Sequence, residues 1–426
     1  MILSPRFLAF GSLPRSGPGP WINGLAVAAM LQTLTACGDG GSGGAPPEGE
    51  VFETRGRLVA AAAGSGTVSV WDLDVDVEVT RYELAAPAVL ERPLSRQITA
   101  VVASQPEADR IDVLGTGVWV WDHVDHFHVY KEPAAVQVDP DLAREGLAAP
   151  FLDATGGWVV AFDPEAGRAD ALFERSIGNL RTDVDRTRSP VWRTFQTEPH
   201  PGFALVARGH LIVTEAAGGL TLLPPGTTDF GPPAPMGMPC ASPTAGTGVV
   251  ERVVIGCGDD LLALTWDDED EAFESARIAL PADAPSPAWL LAEDDLPVFV
   301  GDGGASGVLL VDPATESAER VEVGGSVADV AADRDGRWVL VLRDDGALVL
   351  LSSDGEVLGE VALSLAGPAG RLAVGDGFAY VGDPDGQQVF EVDLAEQAVT
   401  DAFDLGFAPG DLVVTALWPG GEPVRH

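Results

Sequence analysis

Basic side chains are scarce in this chain of 426 residues. Its 25 lysines and arginines stand against 65 aspartates and glutamates, which gives a formal net charge of −40 at pH 7. Lys131 is the single lysine. A protein with this charge repels nucleic acid and anionic lipid head groups and attracts cations. Nucleic-acid binding is therefore excluded, and the approach of a metal ion is favoured, although the charge alone selects no particular metal.

The chain also lacks an apolar run long enough for a membrane-spanning helix, which needs about 20 residues. Its N-terminal apolar stretch, Trp21 to Leu34, follows a basic segment without acidic residues and leads into Thr35-Ala36-Cys37. This order resembles a bacterial lipoprotein signal, in which the cysteine is acylated and becomes the new N-terminus. Residues 1–36 are predicted to be a signal peptide, and 37–50 the lipidated Cys37 with a flexible Gly/Ser/Pro tether. An ordinary secretory signal is the alternative.

These features predict a monomeric protein of the cell envelope, either periplasmic or on the outer membrane, that contacts the membrane through its lipid anchor only. Cysteine is also rare in this chain. Only Cys240 and Cys257 follow Cys37. An even pair in an exported protein most often forms a disulfide, which would contribute about 3 kcal/mol in the chain-entropy model. A two-cysteine metal site is the alternative, although neither cysteine has a second one close by, as zinc-binding pairs usually do.

No long stretch shows a helical period, and short apolar runs alternate with Gly, Asp and Pro turns over residues 51–426. One pattern recurs at about the 40–60-residue spacing of WD40-like propeller blades, and we interpret each copy as the second strand of a blade. The eight copies are 68–72, 118–122, 159–163, 219–223, 262–267, 308–312, 348–352 and 388–393. The predicted fold is an all-β propeller in a single domain, with eight blades favoured and seven possible.

The two ends of this domain are predicted to pair. Residues 412–417 form an extra apolar run that would complete a blade begun by the first strand, 56–62. Such pairing closes the ring, and an unclosed ring would expose a hydrophobic edge strand.

The feature that points most directly to function is a cluster of histidines. Three of the six histidines in the chain, His123, His126 and His128, fall within six residues. Imidazole is the commonest protein ligand for late first-row divalent metals. In an extended strand, residues two apart point the same way, so His126 and His128 could reach one ion at about 2.0–2.1 Å from zinc. A solvated loop that happens to be rich in His and Asp is the alternative.

Other side chains could complete such a site. Asp125 is a candidate ligand, and Asp122 a candidate acceptor that would orient an imidazole. His200 precedes an apolar first strand and could lie on a loop at a mouth of the propeller channel, where an exposed loop histidine is the alternative interpretation. His210 follows Gly209, and we expect it to be a turn residue without a role in metal binding.

Signs of catalysis are missing. The sequence contains no nucleophile elbow, phosphate-cradling loop or kinase signature, and its Gly-rich stretches lie between β-runs, where they predict turns. No general base stands out among so many carboxylates. We expect a protein that is not an enzyme, and a metal-dependent hydrolase is the weaker alternative.

Three segments match motifs of one known family. They are Asp122 to Tyr130, Pro199 to Leu205, and the paired cysteines ending in Ile255 to Asp260. Together they resemble the periplasmic zinc metallochaperones of ABC-type zinc importers, the AztD type. The resemblance implies a β-propeller that holds Zn²⁺ and passes it to the importer's solute-binding protein or to another envelope protein. It also implies His126, His128 and His200 as ligands, with His123 and Asp125 as supplementary ones.

One departure from the family pattern bears on function. After the first cysteine the family carries His-Gly-Glu, whereas this chain has the histidine-free stretch 241–246. A site without that histidine would bind zinc more weakly, take a carboxylate instead, or bind none. Two functions are therefore expected: a lipid-anchored zinc store or carrier, and, as its alternative, a metal-free propeller that presents a surface to envelope partners.

Overall fold

The computed structural model describes residues 50–51, 54–92, 100–122, 127–131, 143–147, 151–153, 157–173, 192–226, 230–333, 335–375 and 377–415. Within these ranges the chain is β-structure joined by tight turns, with one short 3₁₀ helix at Pro106–Ala108. No helix in this part of the chain has the length and hydropathy of a membrane span. Residues 1–49, including Cys37, lie outside the described residues.

Thirty-two strands form eight four-stranded antiparallel sheets, the blades of a propeller. The first strands of neighbouring blades contact each other, which places them at the central axis. From the axis outward, the strands of the first four blades are β35 (Pro409–Thr415), β2 (Arg57–Ala62), β3 (Thr67–Asp72) and β4 (Val77–Glu83); β5 (Val89–Glu91), β6 (Ala100–Gln105), β7 (Arg110–Gly115) and β10 (Arg144–Glu145); β11 (Phe151–Asp153), β12 (Trp158–Asp163), β13 (Arg168–Phe173) and β14 (Arg193–Gln196); β15 (Ala204–Ala207), β16 (His210–Thr214), β17 (Leu220–Leu223) and β18 (Ala234–Pro235).

The remaining blades follow in chain order, and a separate three-stranded sheet accompanies them. Blades 5 to 8 consist of β19 (Pro243–Val249), β20 (Arg252–Cys257), β21 (Asp260–Asp267) and β22 (Ala272–Ala279); β23 (Leu290–Leu291), β24 (Phe299–Asp302), β25 (Gly307–Asp312) and β26 (Ser317–Glu322); β27 (Val327–Ala332), β28 (Val339–Arg343), β29 (Ala347–Leu351) and β30 (Val357–Ala362); β31 (Leu372–Gly375), β32 (Phe378–Asp383), β33 (Gln388–Asp393) and β34 (Ala398–Asp404). The extra sheet has the order β1 (Glu50–Val51), β9 (Phe127–Lys131), β8 (Val118–Asp122).

The blade count confirms the predicted architecture, but the strand assignment was wrong. Six of the eight recurring segments are third strands, whereas 159–163 lies in the second strand β12 and 118–122 is β8, outside every blade. The third strand of blade 2 is β7. The error has a physical reason: second and third strands are both covered by neighbouring blades, so both appear in the sequence as continuous apolar runs.

The core is divided into eight apolar clusters, one between each pair of adjacent blades. Between blades 8 and 1, for example, Leu58 and Val414 pack against Tyr380 and Phe403. Burying one large apolar side chain contributes about 1.5–3 kcal/mol, so each blade depends on both of its neighbours for stability. A propeller with this core is cooperative around the ring.

Pairing of the chain ends closes that ring, as the sequence predicted. The last strand, β35, runs antiparallel to β2, with Leu58 opposite Val414 and Ala60 opposite Leu412. Blade 1 therefore takes its innermost strand from the C-terminal end and its other three strands from the N-terminal part of the domain.

The predicted disulfide between Cys240 and Cys257 is present and buried. It lies in the apolar cluster between blades 4 and 5, where it links the connection that precedes β19 to the end of β20. The bond therefore holds a crossover between blades against the body of the next blade.

Replacing both cysteines, Cys240→Ser with Cys257→Ser, should lower the free energy of unfolding by about 3 kcal/mol, because the unfolded chain gains the freedom of the opened loop. Urea denaturation of the variant and of the oxidised wild-type protein would measure the difference. Wild-type protein treated with a reductant is the control. An unchanged midpoint in both would contradict a stabilising role.

Candidate functional site

The histidine cluster belongs to a hairpin inserted into blade 2. Strands β8 and β9 lie between β7 and β10 in the chain and pair with each other, with Trp121 opposite His128. The backbone places Asp122 at the end of β8 and His128 in β9. His123, Asp125 and His126 fall in the connection 123–126, which lies outside the described residues. Strand β1 pairs with the other edge of β9.

The beginning of this hairpin is tied to blade 1. The buried guanidinium of Arg57 donates a hydrogen bond to the carbonyl oxygen of Thr116, just before β8. The hydroxyl of Tyr82 donates to the carbonyl oxygen of Gly115 at 3.0 Å. Both donors belong to blade 1, so the chain is fixed on its neighbour where it leaves blade 2.

The end of the hairpin is tied to the same blade by Lys131, the last residue of β9. Its ammonium lies 2.6 Å from the carboxylate of Asp72 and 2.5 Å from that of Asp74. Burial alone would raise the pKa of Asp74, but hydrogen bonds from Lys131, from the Arg55 backbone and from Thr54 outweigh it and lower that pKa. The ion pairs are mostly shielded from solvent, since the Lys131 side chain is 10% exposed.

His200 lies in a different setting, on the connection between blades 3 and 4. It is 7% exposed, and its ring packs edge-on to Phe162 with the centroids 5.4 Å apart. Its backbone N–H donates to the carbonyl oxygen of Pro164 at 3.1 Å. His200 is thus a buried residue of a fixed loop, and the interpretation as an exposed loop histidine was wrong.

Both ring nitrogens of His200 are engaged. Nδ1 lies 2.7 Å from the carbonyl oxygen of Glu198, which can only accept, so Nδ1 carries the proton in the neutral ring. Nε2 lies 2.9 Å from the hydroxyl of Thr214. In this tautomer Nε2 carries no proton and could ligate a metal, but an ion there would have to displace that hydroxyl.

Gly202 makes this close packing possible. A Cβ atom at position 202 would lie 2.2 Å from Oγ1 of Thr214 and 2.7 Å from Nε2 of His200. Any other residue would therefore push the imidazole and the threonine apart.

A shallow cleft of about 200 Å³ borders this histidine loop. Thr214 lines it together with Glu198 and Glu215, and the hydroxyl of Thr221 donates to the Glu215 carboxylate. The cleft combines two carboxylates with threonine hydroxyls. Its lining residues belong to blades 3 and 4 and to the connection between them, and none of them comes from the β8–β9 hairpin.

The described strands attach these two histidine segments at opposite faces of the propeller. The hairpin leaves blade 2 from the end of its third strand, β7, and is bound to the start of β2 and the end of β3. His200 lies where the outer strand β14 passes to the next inner strand, β15. In a four-stranded antiparallel meander these two kinds of connection lie at opposite faces. The structure does not bring His200 to the base of the hairpin.

His210 contacts no metal-ligating group in the described structure. Its ring lies 5.0 Å from that of Trp266 and 5.8 Å from that of Phe273, and burial lowers its pKa. His210 is the first residue of β16, directly after the turn at Gly209. Its ring thus packs between blade 4 and the aromatic side chains of blade 5.

A second group of charges, which the sequence analysis missed, lies near the axis. Arg92 follows the inner strand of blade 2, and Glu293 follows that of blade 6, on the opposite side of an eight-membered ring; the two form an ion pair at 2.6 Å. Burial, followed by the charges of Asp153 and Asp411, raises the pKa of Glu91 to about 8. Burial also raises the pKa of Asp411 to about 6. The signal in the sequence was an acidic residue on successive inner strands.

Among the described residues, no three His, Cys, Asp or Glu side chains are arranged to hold a metal ion. The carboxylates at the axis therefore do not form a metal centre in this structure. The segment 123–126, where the sequence predicts metal ligands, lies outside the described residues.

Comparison with solved structures identifies the architecture. No family model and no curated protein matches the chain. AztD from Citrobacter koseri superimposes with a TM-score of 0.73 at 20% sequence identity, over 87% of this chain and 99% of that one. The ring has the fold of AztD. The apo form of the same AztD gives a TM-score of 0.69 at 18% identity, over 84% of this chain and 97% of that one.

A more distant neighbour is the dihydro-heme d1 dehydrogenase NirN, in complex with DHE. Its TM-score is 0.58 at 14% identity, and the match covers 86% of this chain and 77% of that protein. The match covers almost the whole AztD chain, whereas part of the NirN chain lies outside its match.

Proposed function

We propose that this protein is a lipid-anchored, non-enzymatic carrier or store of zinc outside the cytoplasm, which loads the ion on the β8–β9 hairpin and delivers it to a partner in the envelope. The observation that carries the proposal is the position of His128, one of the three clustered histidines. His128 lies in a hairpin that belongs to no blade, on a ring with the AztD fold. The resemblance of the segment 122–130 to the AztD-type motif supports zinc as the ion.

The proposed ligands are His126 and His128, completed by His123 or Asp125, with Asp122 orienting one imidazole. His200 is assigned to a separate position, because the described strands attach its loop at the other face of the ring. A hairpin outside the blades suits transfer, since a partner can reach its ligands without opening the propeller. The net charge of −40 assists the approach of a cation.

The test is metal analysis of the purified protein, followed by competition with a chromophoric chelator. We expect about one zinc per chain and a loss of affinity of about 100-fold or more in the variant His126→Ala/His128→Ala, because a four-ligand site loses half of its ligands. The control His200→Gln should keep its zinc. If His200→Gln loses the ion while its melting temperature stays unchanged, the two segments share one site and our assignment is wrong.

A metal-free scaffold is the second candidate, and one observation favours it. His200 lies in one of the AztD-like segments, and it uses both ring nitrogens for internal hydrogen bonds. The absence of a histidine from 241–246 points the same way. Wild-type protein without stoichiometric metal, and indistinguishable from the hairpin variant, would establish the scaffold.

A further inference from the structure

We propose that Lys131 is a positioning residue for the histidine hairpin: its ion pairs with Asp72 and Asp74 lock the end of β9 onto blade 1 and so fix where the hairpin presents its histidines. This inference rests on the proposed function and adds to it the element that orients the site. It concerns the single lysine of the chain.

The first step of the argument is distance along the chain. Lys131 and His128 belong to the same five-residue strand, β9. Three residues of extended chain cover about 10 Å, and a strand does not bend freely over that length. A fixed ammonium at position 131 therefore restricts the backbone position of His128 in β9.

The second step is the geometry of the ion pairs. The ammonium has carboxylate oxygens from two residues of blade 1 within 2.6 Å. Asp72 also lies 3.4 Å from the guanidinium of Arg57, which holds the beginning of the hairpin through Thr116. One carboxylate thus connects both ends of the hairpin, and the whole group is largely shielded from water.

The third step is that the described strands hold the hairpin on the ring by no backbone ladder with a blade. In the described part of the chain, β8 and β9 pair only with each other and with β1, and with no strand of a blade. Strand β1 pairs with β9 through just two residues, Glu50 and Val51. The polar contacts at the base therefore act together with the buried side chains of Val118 and Val129 to hold the hairpin on the ring.

The test compares Lys131→Met, which keeps an apolar stem of similar length but removes the charge, with Lys131→Arg, which restores a cation. Hydrogen exchange of the amides of 118–131 reports the hairpin without metal, and chelator competition reports the site. In Lys131→Met we expect exchange in 118–131 to be about tenfold faster or more. Zinc affinity should fall about 10–100-fold, as for loss of a group that orients metal ligands. Lys131→Arg should recover most of both.

The control is Arg277→Met, which removes an ion pair of the same length but greater exposure, with Asp260 at 2.6 Å, from blade 5. It should alter neither measurement. If Lys131→Met leaves exchange in 118–131 unchanged, or speeds exchange while zinc affinity stays as in wild type, the positioning role is refuted.

Failure of this proposal is distinguishable from failure of the proposed function. If the wild-type protein holds no zinc, the carrier function fails, and the exchange measurement alone decides whether Lys131 locks the hairpin. Acylation by an amine-reactive acetyl ester, read by mass spectrometry, gives a second metal-free readout. The ammonium of Lys131 should be protected in wild type and become reactive in Asp72→Asn/Asp74→Asn, and equal reactivity in both proteins would refute the lock.

Discussion

A chain that ends at Ala408, before the last strand, should fail to form a soluble ring. The truncation removes β35, which is the innermost strand of blade 1, and leaves the edge of β2 without a partner. It also removes Leu412 and Val414 from the apolar cluster between blades 8 and 1. The remaining ring would expose backbone donors and acceptors beside an apolar surface, which is the usual starting point for aggregation.

Expression followed by size-exclusion chromatography and circular dichroism would measure this effect. The matched control ends at Ala416, which keeps all of β35. We expect the control to be a folded monomer and the chain ending at Ala408 to be recovered mainly as aggregate. A soluble monomer from the shorter chain, with the melting temperature of the control, would contradict closure of the ring by the terminal strands.

The second large effect concerns pH and the carboxylates at the axis. Burial is the main cause that raises the pKa of Glu91 from its ordinary value of 4.5 to about 8. Between pH 4.5 and 8 the folded protein keeps a proton on Glu91 that the unfolded chain releases. The stability associated with protonated Glu91 is therefore fully present below about pH 4.5. That contribution is lost as the pH rises through the range up to about 8.

Glu91→Gln should remove this dependence, because the amide keeps the shape of the protonated acid and cannot ionise. At one pKa unit per 1.36 kcal/mol, the variant should exceed the wild type at pH 8 by a few kcal/mol, with about 4 kcal/mol as the upper limit. Near pH 4.5 the two proteins should be equally stable. Urea denaturation at several pH values between 4.5 and 8.5 measures the difference.

The control for this experiment is Glu319→Gln, which replaces an exposed glutamate on the third position of β26. It should follow the wild-type curve at every pH. Part of the pH dependence should remain in Glu91→Gln, because the pKa of Asp411 is also raised, to about 6. If Glu91→Gln is no more stable than wild type at pH 8, ionisation of Glu91 does not destabilise the folded protein, and this prediction is wrong.

How far the sequence leads can be judged at the ring itself. Turn residues between recurring short apolar runs were sufficient to predict the propeller, the extra run near the C-terminal end predicted its closure, and the pair of cysteines predicted the disulfide. These properties depend on local patterning and on the chemistry of single residue types. The same runs did not distinguish second from third strands, since both are buried between neighbouring blades.

The hairpin shows the opposite case. Residues 118–122 have the apolar pattern of a blade strand, yet among the described strands they form β8, which pairs with β9 and joins no blade. The residue pattern of a single strand does not predict which strand will pair with it. Pairing is a choice among competing partners, and it is decided by the packing of the whole ring.

The linear order of residues determined the composition of the site: three histidines close together, two aspartates beside them and a negative charge that attracts cations. Only the tertiary structure decided where those groups stand. It attached the histidine hairpin to blade 1 through Arg57 and Lys131, and it placed His200 in a buried loop at the other face. The physical reason is that chemistry belongs to individual side chains, whereas proximity depends on the direction of strands that lie far apart in the chain.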